Sequence, residues 1–147
     1  MNKIQLGWIG LGNMGNPMVM NLLKAGFQVS VFNRTKEKEA PLLASGAKSA
    51  SSLHELLQTC DVVLTMLSND AAVKEVFEGP TGLLSKAHPG KTIINMSTVA
   101  PETSRYLNTI CNQHQVHFID APVSGSVKPA QDGTLVILVG LRLKISK

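Results

Sequence analysis

The chain is predicted to adopt an α/β fold built on a doubly wound, mainly parallel sheet. Three observations predict it. Short runs rich in Val and Ile alternate with longer helical patterns along the whole sequence, as repeated strand–helix–strand units require. A glycine-rich turn joins the first such run directly to the first helical pattern. The 147 residues, 44% hydrophobic with mean hydropathy +0.11, describe one globular domain, since single-core domains run to roughly 100–200 residues.

Taken in order, Ile4–Gly10 reads as the first strand and Gly15–Ala25 as a helix closed by Gly26. Gln28–Asn33 is the second strand and Glu37–Ala44 a helix that ends before Gly46, with Ala47–Ala50 a further short strand. Ser52-x-x-Glu55 is a capping box opening a helix to about Thr59. Val62–Leu67 is extended, and Asp70 is placed to cap a helix running to Phe77. After the strand Thr92–Asn95, Pro101 suits a first helical turn because its missing N–H costs nothing there, and Glu102 complements the helix dipole. That helix should reach about Gln113. Val116–Asp120 is the next strand, and Asp132-Gly133 turns the chain into a last one at Leu135–Val139. The domain is expected to span residues 1–140, followed by an atypical basic tail at 141–147.

Composition narrows the partners. Of the 14 basic residues, Arg142, Lys144 and Lys147 lie in the last seven positions, and without them the excess over ten acids falls to one. With 4% aromatics and scattered bases there is neither a phosphate-tracking stripe nor a base-stacking platform, so no nucleic acid is expected. Cys60 and Cys111 stand apart without metal or disulfide spacing, and a reducing compartment fits them. Strand-like sequence begins at once with no basic leader, and no run approaches the roughly 20 apolar residues of a membrane span. A cytoplasmic protein with no membrane partner is the expectation. His114 and His117 sit three apart where a helix ends, with no third ligand, and read as surface residues and not as a metal pair. Met14, Met18 and Met20 read as core or cofactor-covering residues.

Gly10-Leu11-Gly12-Asn13-Met14-Gly15 is G-x-G-x-x-G, directly after a strand and directly before a helix. The first glycine permits a tight turn, the second lets backbone approach a pyrophosphate, and the third allows close helix–strand packing. The helix N-terminus offers N–H groups and partial positive charge to the phosphates. A Rossmann-type dinucleotide fold follows. Eighteen residues after Gly15, where an acid would bind a ribose 2′-hydroxyl, the chain has Asn33-Arg34-Thr35. A guanidinium and a hydroxyl with no carboxylate suit a 2′-phosphate, so the expected cofactor is NADP(H). Lys36 and Lys38 add positive field.

Together with Thr65-Met66-Leu67-Ser68, Asn95-Met96-Ser97-Thr98-Val99-Ala100-Pro101-Glu102 and Asp120-Ala121-Pro122-Val123-Ser124-Gly125-Ser126, these motifs resemble the β-hydroxyacid dehydrogenase family. Within it, Gly125-Ser126 followed by Lys128-Pro129-Ala130 is most similar to the NADPH-dependent glyoxylate and succinic semialdehyde reductases. The resemblance covers residues 3 to 140. It implies that Met66 and Leu67 lie against the adenosine side of the cofactor and Thr98 beside the nicotinamide. It further implies that Ser124 and Gly125 hold a substrate carboxylate, with Ser126 behind them. The bland alternatives are that Met66 and Leu67 are core, that Thr98 caps a helix, and that Pro122–Gly125 is only a turn.

The family's general acid is a lysine of an all-helical second domain, and the sequence departs from the family after Gly140. No catalytic residue is therefore assigned in this chain, and Lys144 and Lys147 match no catalytic motif. The resemblance implies the NADP(H)-binding part of a reductase converting a short aldehyde acid to the hydroxy acid, inactive without the lysine domain; the apolar surface that domain would cover is expected to drive self-association into a homo-oligomer. A catalytically silent dinucleotide-binding module is the alternative of another class. A 3-hydroxyisobutyrate or phosphogluconate dehydrogenase-like oxidoreductase is the third.

Overall fold

The computed structural model describes residues 4–86, 88–124, 127–132 and 136–137. Its centre is a six-stranded, wholly parallel sheet of order β3-β2-β1-β4-β5-β6. The strands are β1 Gln5–Ile9, β2 Gln28–Phe32, β3 Lys48–Ser49, β4 Val62–Thr65, β5 Thr92–Asn95 and β6 His117–Asp120. The helices are α1 Gly15–Lys24, α2 Ala40–Ala44, α3 Leu53–Thr59, α4 Asp70–Glu78, α5 Pro101–Gln113 and α6 Val127–Asp132. Because side chains alternate along a strand, the sheet feeds two cores. Ile9, Val63 and Ile93 pack with Leu56, Phe77 and Leu107 on one face. Trp8, Val29 and Val31 pack with Val19 and Leu42 on the other. Both faces are thus covered, as an all-parallel sheet requires.

The register puts Phe32, Ile9, Thr65, Asn95 and Asp120 in one row across the carboxyl ends of five strands. Chain order reverses between β1 and β4, and at such a switch point the loops leaving neighbouring strands diverge and open a crevice.

Several elements differ from the sequence reading, each for a local reason. The helix expected over Glu37–Ala44 is a 3₁₀ turn at Lys36–Glu39 followed by the five-residue α2. Pro41, in the first turn of α2, has no N–H to continue a helix through it. Asp70 does not cap α4: Asn69 does, its Oδ1 accepting from Ala72 N at 2.8 Å. Ser52 caps α3 as expected, but Glu55 reaches back to Ser51 N at 2.6 Å instead of the cap residue's own N–H. Of the last strand expected over Leu135–Val139, only Val136–Ile137 are described residues; they form β8, which pairs antiparallel with β7, Val123–Ser124, in a separate ribbon. Neither β7 nor α6 is marked by any periodicity in the sequence.

Freed from capping, Asp70 pins α4 to α5. Its carboxylate accepts from Ala100 N at 3.0 Å and from Thr103 Oγ1 at 2.6 Å, and these bonds, the Thr103 hydroxyl first, hold its pKa below the ordinary value. A lowered folded-state pKa contributes stability above the unfolded value, about 3.9, and loses it as pH falls through the folded value. Asp70→Asn is therefore expected to lower the melting temperature at pH 7, with the gap to the parent closing as pH falls through the folded-state value.

Candidate cofactor-binding site

The turn after β1 is built so that only glycine serves at two of its three glycine positions. Gly10 has φ +102°, and a Cβ there would lie 2.0 Å from the Met66 carbonyl oxygen. At Gly15 a Cβ would lie 2.1 Å from the Gly10 carbonyl oxygen, which Trp8 Nε1 holds by a hydrogen bond of 2.9 Å. Strand β1, the turn and α1 are thus packed backbone on backbone. Gly12 is different. It is exposed, and a Cβ there would meet nothing within 4 Å, so its missing side chain leaves space for something outside the chain. No side chain caps α1; Asn16 N donates back to Gly12 O at 3.1 Å and Pro17 has no N–H, so the positive end of the helix dipole, and not a row of free N–H groups, is what the first turn presents.

Asn33 ties this turn to the end of β2. Its Oδ1 accepts from Leu11 N at 2.9 Å, and its Nδ2 donates to Thr35 O at 2.8 Å. Beside it opens a cleft of about 660 Å³, lined by Phe32, Asn33, Arg34, Ser51 and Leu67 among others. Ligand clefts typically hold about 300–1,000 Å³. Arg34 and Thr35 are exposed, and no hydrogen bond or ion pair among the described residues engages the Arg34 guanidinium. No carboxylate takes the ribose-binding position at the end of β2. The cradle therefore fits a dinucleotide: space over Gly12, the positive end of α1, and a cation beside a cleft.

Across the switch point, Met66 and Leu67 leave β4 half-buried, one packed against each core. Leu67 N donates to Ser97 Oγ at 2.7 Å, linking the β4–α4 and β5–α5 loops. Thr98 is exposed and caps nothing, the N-cap of α5 being Ala100. The glycine turn, Asn33 to Thr35, Met66, Leu67 and Thr98 thus all lie at the carboxyl ends of β1, β2, β4 and β5. The motif around Ser124 follows β6 on the same side of the sheet, with Ser124 in β7. Gly125 and Ser126 lie outside the described residues.

Residues 5–145 match the family model described as the NAD binding domain of 6-phosphogluconate dehydrogenase. Among curated relatives, glyoxylate/succinic semialdehyde reductase 1 of Arabidopsis thaliana is 43% identical over 135 residues, covering 92% of this chain and 47% of its own length. The structure of Mycobacterium tuberculosis 3-hydroxyisobutyrate dehydrogenase with L-serine superposes with a TM-score of 0.86 at 34% identity, covering 95% of this chain and 47% of that one. That of Psf3 in complex with NADP+ and 2-OPP does so with 0.87 at 33% identity, over 91% and 48%.

The chain is an NAD(P)-binding domain of the β-hydroxyacid dehydrogenase family. It spans about half the length of the relatives it matches.

In this β-hydroxyacid dehydrogenase domain the residue that shapes the β2–α2 loop is one the sequence reading passed over. Glu39 is 1% exposed, and its carboxylate accepts from Asn33 N at 2.9 Å, Lys36 Nζ at 3.1 Å and Ser49 Oγ at 2.5 Å. A buried carboxylate is tolerable only with such partners. It fixes the backbone of Asn33 and, through Lys36, whose ammonium also lies 4.1 Å from the Phe32 ring centroid, one wall of the cleft. Glu39→Ala would remove all three of these charge-assisted bonds and is expected to cost about 1–3 kcal/mol in denaturant titration. Trp8, read only as part of a strand, likewise proves to anchor the glycine turn.

The remaining titratable groups are structural. Cys60 and Cys111 are buried, and burial pushes the Cys111 thiol up to about 12, far from a reactive thiolate. Asp120 is raised by burial and partly offset by a hydrogen bond from Ser104. Among the described residues no three His, Cys, Asp or Glu side chains could share a metal, and no helix is long and apolar enough to cross a membrane.

Proposed function

We propose that this domain binds NADP(H) in preference to NAD(H), and that it belongs to a reductase acting on a short aldehyde acid such as glyoxylate or succinic semialdehyde. The observation that carries the cofactor reading is Asn33-Arg34-Thr35. At the end of β2 stands an amide already engaged with Leu11 N and Thr35 O, next to an exposed guanidinium that no acid among the described residues pairs with. Such a pair welcomes a 2′-phosphate and offers nothing particular to a 2′-hydroxyl. The NADP+ in the Psf3 structure supports it.

When bound, the cofactor supplies the hydride. The chain's own residues hold and orient it. Gly12 and the first turn of α1 receive the pyrophosphate, Arg34 and Thr35 the 2′-phosphate, and Met66 and Leu67 the adenosine side. The dinucleotide must then cross the switch point, which brings its other half over the β5–α5 loop and Thr98. The substrate carboxylate is assigned to Ser124, Gly125 and Ser126. Ser124 follows β6, which pairs with β5 at the edge of the sheet remote from β2, and this favours a substrate on the Thr98 side and not the Arg34 side. The resemblance to a glyoxylate/succinic semialdehyde reductase supports this substrate class.

The test is twofold. Calorimetric titration of the chain with NADPH and NADH decides the cofactor, and tighter NADPH binding is expected. NADPH oxidation by the full-length gene product, with glyoxylate, succinic semialdehyde and the 3-hydroxyisobutyrate/NADP+ reverse reaction compared, decides the substrate. Faster turnover of 3-hydroxyisobutyrate than of either aldehyde acid would overturn the substrate reading.

A further inference from the structure

One group in the sheet is polar where packing alone would place an aliphatic residue. Asn95 ends β5 on the same face as Val63 and Ile93, and all three are fully buried. Its Oδ1 accepts two hydrogen bonds, from Thr65 Oγ1 at 2.8 Å and from Ser97 N at 3.2 Å. Ser97, itself 1% exposed, accepts from Leu67 N at 2.7 Å. The amide thus stands behind both loops that leave the switch point on its β4–β5 side. The Nδ2 of Asn95 has no partner among the described residues, and the same is true of Asp120 Oδ1 on its register partner in β6. A buried amide left half satisfied is costly, so what its oxygen holds should matter.

We propose that Asn95 is a positioning residue for the bound dinucleotide, fixing through Ser97 the relative placement of the Leu67 and Thr98 loops. The inference rests on the NADP(H) reading of the site. Asn95 is too buried to touch the cofactor, so it acts only through Ser97. Its geometric logic is that the two loops serve opposite halves of a ligand that crosses the switch point. Leu67 lines the cleft beside Phe32 and Arg34, whereas Ser97 and Thr98 sit on the far side, over β5. Held rigidly, the second loop is ready when the first half binds; released, it must be ordered at the expense of affinity. The cost falls on ligands that reach across.

The experiment compares NADPH with adenosine 2′,5′-bisphosphate, which carries the 2′-phosphate half and lacks the nicotinamide. Calorimetry on the 147-residue chain gives the ratio of the two dissociation constants. Asn95→Ala should weaken NADPH roughly three- to tenfold, the worth of about one hydrogen bond, and leave the bisphosphate unchanged. Ser97→Ala keeps the backbone bond to Asn95 but breaks the next one, from Leu67 N to the Ser97 hydroxyl, so the two loops are again uncoupled. It should raise the NADPH dissociation constant relative to that of the bisphosphate in the same way, and it answers the question if Asn95→Ala does not fold. Equal losses for both ligands, or none for either, would mark Asn95 as an ordinary core group and overturn the proposal. A parent chain that binds the bisphosphate as tightly as NADPH would also overturn it while leaving the 2′-phosphate reading intact. A parent that binds neither overturns that reading, and the inference with it.

Discussion

Arg34→Ala is expected to abolish most of the preference for NADPH over NADH while leaving NADH binding nearly unchanged. The guanidinium lies at the mouth of the cleft, exposed, on a loop whose backbone is fixed on both sides of it: Glu39 accepts from Asn33 N, and Asn33 Nδ2 donates to Thr35 O. A 2′-phosphate there would gain charge-assisted hydrogen bonds, which contribute roughly 1.5–3 kcal/mol, or about 10- to 150-fold in affinity. The neighbouring cations cannot replace them. Lys36 is ion-paired with Glu39 at 3.1 Å and also donates to Ala50 O at 3.2 Å, so its charge is already answered. Lys38 is exposed and borders no part of the cleft. NADH lacks the phosphate and should not register the change. Equal dissociation constants for the two cofactors in the unmutated chain would refute the assignment.

The contrast between Arg34 and Glu39 shows what the sequence could and could not disclose. Arg34 is legible because its meaning is local: it follows a strand end at a fixed distance from the glycine turn, and an expected acid is missing. Glu39 ends the run Lys36-Glu37-Lys38-Glu39, which reads as a solvated charged turn. Only the fold shows that this one carboxylate is folded inward onto Asn33 N and Ser49, a residue ten positions on in another strand. Asn95 is hidden for the same reason. Its meaning depends on register with Thr65 and Asp120, which lie on strands far apart in sequence, so no local pattern displays it. By contrast Pro41 was visible in the sequence, and its missing N–H was the available signal that Glu37–Ala44 would not be one helix. Asn69 and Asp70 compete for one cap on nearly equal terms; the tertiary bonds to Ala100 and Thr103 draw the acid away and decide it. The strand–helix alternation gave the sheet, because each buried strand needs its own apolar run whatever it pairs with. The small β7–β8 ribbon, two residues a strand, has no such run to read.

The three glycines of the turn should separate stability from binding. At Gly10 an added methyl would meet the Met66 carbonyl at 2.0 Å, against backbone that cannot swing aside, and the positive φ would strain any other residue. Left-handed backbone costs about 1–2 kcal/mol and overpacking about 1–3 more, so Gly10→Ala should destabilise by roughly 2–5 kcal/mol. Gly15→Ala drives its methyl to 2.1 Å from the Gly10 carbonyl and 3.1 Å from Trp8 Nε1, attacking the bond that anchors the turn, and belongs to the same class. Gly12→Ala is the informative one. With nothing within 4 Å of the new Cβ and no positive φ to strain it, its stability should stay within about 0.5 kcal/mol of the parent. Yet that open space is where backbone must approach the pyrophosphate. A methyl there would hold the phosphates off the turn's backbone and the positive end of α1, and the loss of even one charge-assisted bond is worth roughly 10- to 150-fold in affinity. Unchanged melting with sharply weakened NADPH binding is the expected signature, read by thermal denaturation and calorimetry on the same preparation. Gly12→Ala binding at parental strength would mean that the dinucleotide does not pass over this turn at all.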